Sequence, residues 1–177
     1  MRTLLQTRDW QAVVEGYGPL VWQTAYRLLG NHEDASDCFQ ETFLAALEIS
    51  RRQPVRNLPG LLVRLATTRA IDRLRQRTRR DRHEAGASGC ERSADPLDQI
   101  ETQDLACRLR EAIGQLPPQE ANVFCLRHLN EMSYRQIARE LQIGVSAVGV
   151  SLHRTKTRLR ELLTATDVNV EVTHESR

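Results

Sequence analysis

Lysine is almost absent from this chain: of 25 lysines and arginines, only Lys156 is a lysine. Positive charge is therefore nearly all guanidinium, which suits bidentate contact with phosphates and base edges, although an arginine-rich genome writes the same composition. No apolar run approaches the roughly 18 residues that a membrane span requires. The N-terminus, with Arg2, Arg8 and Asp9 among short apolar groups, lacks the apolar stretch of a secretory signal. A cytoplasmic protein with no membrane insertion of its own is expected. The four cysteines, Cys38, Cys90, Cys107 and Cys125, form no CxxC, so neither a zinc ribbon nor a redox pair is signalled. Cys125 and His128 stand one helical turn apart, with His153 an imaginable third ligand, but buried free cysteine is ordinary core material. The five histidines and the acids make no nucleophile–base arrangement, and there is no phosphate-binding loop. No catalytic residue, metal or cofactor is expected, and an enzyme is the least supported class.

What is present is a chain of 177 residues, 40% hydrophobic and 27% charged, with mean hydropathy -0.49. That is enough for helical cores in one domain or two small ones. Its net charge of +2 hides strong segregation. From Glu33 to Glu48 there are five acids and no lysine or arginine. From Arg69 to Arg82 there are seven arginines against two aspartates, and from Arg127 to Arg160 seven basic residues against two glutamates. Separate acidic and basic faces imply separate partners, one basic and one polyanionic.

The periodicity is helical throughout. A first helix is expected over Thr7–Leu29, with Gly16, Gly18 and Pro19 as points of breakage or kinking and Gly30 near its C-cap. A second, Glu33–Ser50, buries Ala35, Phe39, Phe43, Ala46 and Leu47. It carries Asp34, Asp37, Glu41 and Glu48 along one face. Against the plainer reading of a solvated face, like charges at these spacings cost helix stability, which a basic protein partner would offset. A loop, Arg51–Pro59, leads to a helix over Gly60–Arg82. Leu61, Leu62, Leu65, Ile71 and Leu74 face inward there, and Arg64, Thr67, Thr68, Arg69, Asp72, Arg73, Arg75 and Arg77 outward. Half core and half arginine, it reads as a polyanion contact; a disordered charged tail over Arg75–Arg82 is the alternative.

Residues 83–96 read as a flexible linker. A helix over Leu97–Leu116, with Ile100, Leu105, Leu109 and Ile113 as its apolar positions, stops at Pro117-Pro118, and another runs over Gln119–Leu129. Ser133 is a natural N-cap with Gln136 three residues on, a capping box. Ile137, Ala138 and Leu141 form one apolar stripe and Val145, Val148 and Leu152 another. The turn Gln142-Ile143-Gly144 between them puts glycine where positive φ is needed. Two short helices so joined make a helix-turn-helix, the second entering a major groove. Arg154, Lys156, Arg158 and Arg160 give it a basic end for phosphates. The tail, residues 164–177, is expected to be disordered. The whole reads as all-α, with small helical domains over 1–82 and 97–163.

With these residues in view, the chain resembles the extracytoplasmic-function sigma factors of bacterial RNA polymerase. HEDASDCFQETFLAAL is similar to one signature helix of the family. LPPQEANVFCLRHLNEMSYRQIARELQIGVSAVGVSLHRTKTRL is similar to its C-terminal helix-turn-helix, and LVRLATTRAIDRLRQRTRR to its helix for the minus-ten element. The resemblance implies that Asp34, Asp37, Gln40, Glu41 and Leu44 hold the clamp helices of the polymerase largest subunit. It implies that Arg56, Asn57, Arg64, Thr67, Thr68, Arg69, Asp72, Arg73, Arg75 and Arg77 read and melt the minus-ten element, with a base flipped from the stack. It gives the minus-thirty-five element to Ser133, Tyr134, Arg135, Ser146, Ala147, Gly149, Val150, Ser151, His153, Arg154, Lys156 and Arg158. Core polymerase, including its flap, promoter DNA and an anti-sigma factor are the implied partners. The chain departs from the family pattern at several positions. Thr68 stands for a usual Asn, Gly60 for Trp, Ala147 for Thr, Gly149 and Ser151 for Lys and Arg, and Gly144 for an N-cap Ser. A lone DNA-binding regulator would account for the C-terminal half only, and an RNA-binding protein for the arginine tract.

Overall fold

The computed structural model describes residues 9–83 and 98–174, which contain seven helices and no strand. The first, α1 (Trp10–Leu29), starts where the Asp9 carboxylate accepts the backbone N–H groups of Gln11 and Ala12, two donors a helix end leaves free. It does not break at Gly16, Gly18 or Pro19. Gly18 is buried against the Phe39 ring, which a Cβ there would meet at 3.6 Å. Packing on the next helix thus outweighs the local cost of proline and glycine. Gly30 closes α1 at φ 75°, its N–H donating to Tyr26 O.

The acidic helix α2 (His32–Arg52) is capped by Asn31, which accepts the Asp34 N–H at 2.8 Å. Cys38 and Thr42 are buried in it, while Phe39 and Leu47 of the expected stripe are only half-buried. It runs two residues beyond Ser50, and α3 (Leu58–His83) starts early, so the expected loop shrinks to residues 53–57. Asn57 makes the early start possible, its Oδ1 accepting the Gly60 N–H at 3.2 Å. Pro59 falls in the first turn, where its missing N–H costs nothing. Residues 84–96 of the expected linker lie outside the described residues.

The C-terminal half comprises α4 (Asp98–Gln115), α5 (Pro118–His128), α6 (Tyr134–Leu141) and α7 (Val145–His174). Leu105, expected inside, is 56% exposed, and Ile113 is buried. Ser133 and Gln136 form the expected capping box. In the turn after α6 the left-handed residue is Gln142, φ 55°, rather than Gly144, because the last turn of α6 closes one residue after Leu141. Val145, read as an inward position, is 48% exposed. No glycine or proline follows Gly149, and α7 continues through Leu163 to His174, so residues 164–174 are helical where disorder was expected.

Three apolar clusters hold these helices. One lies within α1, α2 and α3, around Val21, Phe43, Leu58, Leu62 and Leu65. A second joins the halves, setting Leu28, Cys38, Ile71 and Leu74 against Ile113, Leu116, Cys125 and Leu159. A third surrounds the helix-turn-helix with Val123, Leu126, Ile137, Val148 and Leu152, and takes in Val63 from α3. Helix α3 is thus the wall shared by both halves.

Candidate nucleic-acid interface

The acidic face of α2 is not without compensating base. Arg73, reaching across from α3, donates from Nη2 to Glu41 Oε1 at 2.7 Å, and its Nη1 lies 3.5 Å from Asp34 and 3.6 Å from Asp37. Arg69 Nε adds a contact at 3.9 Å to the other Glu41 oxygen. Two residues expected to face DNA are therefore turned toward the acids. Asp37, Gln40, Glu41 and Leu44 remain exposed, Leu44 at 61%, with Asp34 half-buried.

The rest of the minus-ten set is largely covered by the other half of the chain. Thr67 is fully buried, accepting from Asn130 Nδ2 at 3.4 Å. Thr68 donates to Asn122 Oδ1 at 2.8 Å. Asn57 Nδ2 donates to Glu140 Oε1 at 2.6 Å, and Arg64 Nε stands 3.9 Å from Glu140 Oε2, an ion pair without a hydrogen bond. Arg75 donates to the Leu116 carbonyl at 3.1 Å, and Arg77 is half-buried. Only Arg56 and Asp72 of the ten are exposed. Glu140, Asn122 and Asn130 thus contact residues of this expected set, although the sequence did not single them out. Their one visible signal is that Glu140 is one of two acids in a basic stretch.

Along α7, Ser146, Val150, His153, Arg154, Lys156 and Arg158 are exposed, and Ala147 and Gly149 half-buried. The exposed positions at i, i+4, i+7 and i+8 fall on one helical face, the arrangement that inserts into a groove. Ser151 does not share it: it is 6% exposed with its hydroxyl unpartnered. Arg158 is exposed yet 3.5 Å from the buried Glu120 carboxylate. On α6, Arg135 is exposed, the Arg127 guanidinium lies 5.7 Å from the centre of the exposed Tyr134 ring, and Ser133 is engaged as a cap.

Among the described residues no three histidines, cysteines or acids could hold a metal. His128 lies ring to ring with Phe124, and burial, then Lys156 and Arg127, lower its pKa. Burial pushes the Cys125 thiol up to about 12 and the Cys38 thiol to about 11. Cys107 is disulfide-bonded, a pairing its spacing did not suggest.

Two family descriptions match the two halves in order: Sigma-70 region 2 over residues 13–80 and Sigma-70, region 4, over residues 108–159. The chain is 30% identical over 162 residues to the ECF RNA polymerase sigma factor SigW of Bacillus subtilis, covering 85% of this chain and 87% of that protein. This chain belongs to the ECF sigma factors. It is a sigma factor that directs RNA polymerase to promoters through regions 2 and 4. SigE of Mycolicibacterium smegmatis is also 30% identical over 159 residues, 88% of this chain but 62% of that longer relative. Among solved structures, RpoE of Bartonella quintana, in complex with the anti-sigma factor NepR, superimposes with TM-score 0.57 at 20% identity. That match covers 89% of this chain and 98% of the other. CnrH, in complex with the cytosolic domain of CnrY, gives 0.56 at 21% identity and 88% of each chain. These two likenesses establish the helical fold. No helix among the described residues is long and apolar enough to cross a membrane.

Proposed function

We propose that this sigma factor grips the clamp helices of the polymerase largest subunit with α2, its region 4 half meeting the flap. Asp34, Asp37, Gln40, Glu41 and Leu44 form the grip. Arg56, Asn57, Arg64, Thr67, Thr68, Arg69, Asp72, Arg73, Arg75 and Arg77 take the minus-ten element, and the exposed face of α7 with the start of α6 takes the minus-thirty-five element. Its action is binding and strand melting in the cytoplasm, without catalysis of its own. An anti-sigma factor covers the free protein, a reading supported by the solved pairs RpoE–NepR and CnrH–CnrY.

The observation that carries the polymerase assignment is Leu44, 61% exposed beside Gln40 and Glu41. A leucine left in water within a charged face gains most by burial in a partner. Leu44→Asp is expected to leave the melting temperature unchanged and to weaken binding to core polymerase about tenfold or more, as loss of a buried apolar anchor does. Fluorescence titration of core polymerase measures it, and unchanged affinity would remove α2 from the interface.

A further inference from the structure

We propose that Glu140 of α6 is an intramolecular latch that holds the C-terminal half over the promoter-melting surface of α3 and keeps the free chain from engaging single-stranded DNA. The inference rests on the reading of Asn57, Arg64 and Thr68 as minus-ten contacts, and it assigns what occupies them when DNA does not.

The Glu140 side chain is 10% exposed, against the usual preference of glutamate for water. One of its oxygens takes the Asn57 amide at 2.6 Å, and the other faces Arg64. Asn57 is held in place for this, since its own oxygen caps α3 through the Gly60 N–H. The space that admits the carboxylate exists because residue 60 has no side chain. A Cβ on Gly60 would collide with Asn57 Nδ2 and fall 2.6 Å from Glu140 Oε1. Farther along α3, Asn122 and Asn130 take the hydroxyls of Thr68 and Thr67. The atoms that would meet a DNA strand are therefore the atoms that hold α5, α6 and the turn between them. Contact with one excludes contact with the other.

The apolar cluster shared by the halves keeps the closed form dominant, so loss of the latch shifts the closed-to-open ratio rather than abolishing closure. Losing one charge-assisted hydrogen bond shifts such a ratio about tenfold. Glu140→Gln removes the charge, and Gly60→Ala fills the space without altering charge. Glu131→Gln is the control, because Glu131 is exposed and carries the same charge in the same basic stretch.

The test uses the free full-length chain. Retention of a labelled pool of random single-stranded DNA on filters is measured beside the radius of gyration by small-angle scattering, with melting curves to show that each variant folds. Glu140→Gln and Gly60→Ala are expected to raise retention about tenfold and to expand the chain, while Glu131→Gln does neither. Folded variants that neither expand nor bind overturn the latch. An equal rise in Glu131→Gln, or a rise without expansion, reduces the effect to charge and overturns it too. Expansion without added DNA binding overturns the inhibitory role by showing that α3 is not the strand-binding surface, so the minus-ten assignment fails while the closed contact stands.

Discussion

At the scale of single residues, the two buried thiols make stability sensitive to alkali. Cys38 and Cys125 ionise only near 11 and 12 in the folded chain, against 9.0 when unfolded, mainly because burial opposes the thiolate. Below pH 9 both states hold the protons and stability is indifferent to these groups. Above it the unfolded chain releases protons that the folded chain retains, so stability falls as pH rises from about 9 toward 11–12. Urea midpoints measured from pH 8 to 10.5 are expected to fall less steeply in Cys125→Ala than in the natural chain; parallel slopes would rule the thiol out. Residue polarity was the weakest guide to placement. Leu61, Leu62, Leu65, Ile71 and Leu74 are buried as their spacing in α3 implies. Thr67, read as facing outward, and Ser151, given to the minus-thirty-five element by the family resemblance, are buried too. A hydroxyl that meets a distant asparagine, or no partner at all, is written in sequence like one that meets water. Gly60, a departure from the family pattern without evident reason, gains one from the approach of Glu140.

At the scale of elements, the local chemistry of helix ends was legible and their compensation by other helices was not. The Ser133–Gln136 reciprocity follows from residues three apart and is present as expected, with hydrogen bonds of 2.8 and 3.3 Å. Helix α6 has only eight residues and depends heavily on that cap. Ser133→Ala is expected to cost about 1 kcal/mol, with Ser133→Asp restoring most of it. Equilibrium urea unfolding checks both, and a neutral alanine would show that the cap contributes nothing. By contrast, the acids of α2 looked uncompensated because Arg69 and Arg73 lie 28 and more positions away along the chain. Pro19 and Gly18 looked disruptive because the Phe39 ring that packs on α1 belongs to another helix.

At the scale of the whole molecule, the order of the two regions was legible from motifs, and their mutual packing was not. An amphipathic face has the same period whether it covers its own half or another. Ile113 is 2% exposed in the cluster that joins the halves. Ile113→Ala is therefore expected to cost roughly 2–5 kcal/mol and to split a single calorimetric transition into two. Two transitions in the natural chain would show instead that the halves are stable separately. The absence of a side chain at Gly60 also fixes how far the Asn57–Glu140 contact lies from disturbance in genetic terms. Every glycine codon begins with two guanines, and any single-base change that replaces the glycine with another amino acid supplies a side chain. Each such replacement puts at least a Cβ into the place that Asn57 and Glu140 now share. The Asn57–Glu140 contact thus depends on a codon at which no missense change is conservative, while the apolar cluster that joins the halves is untouched by such a change.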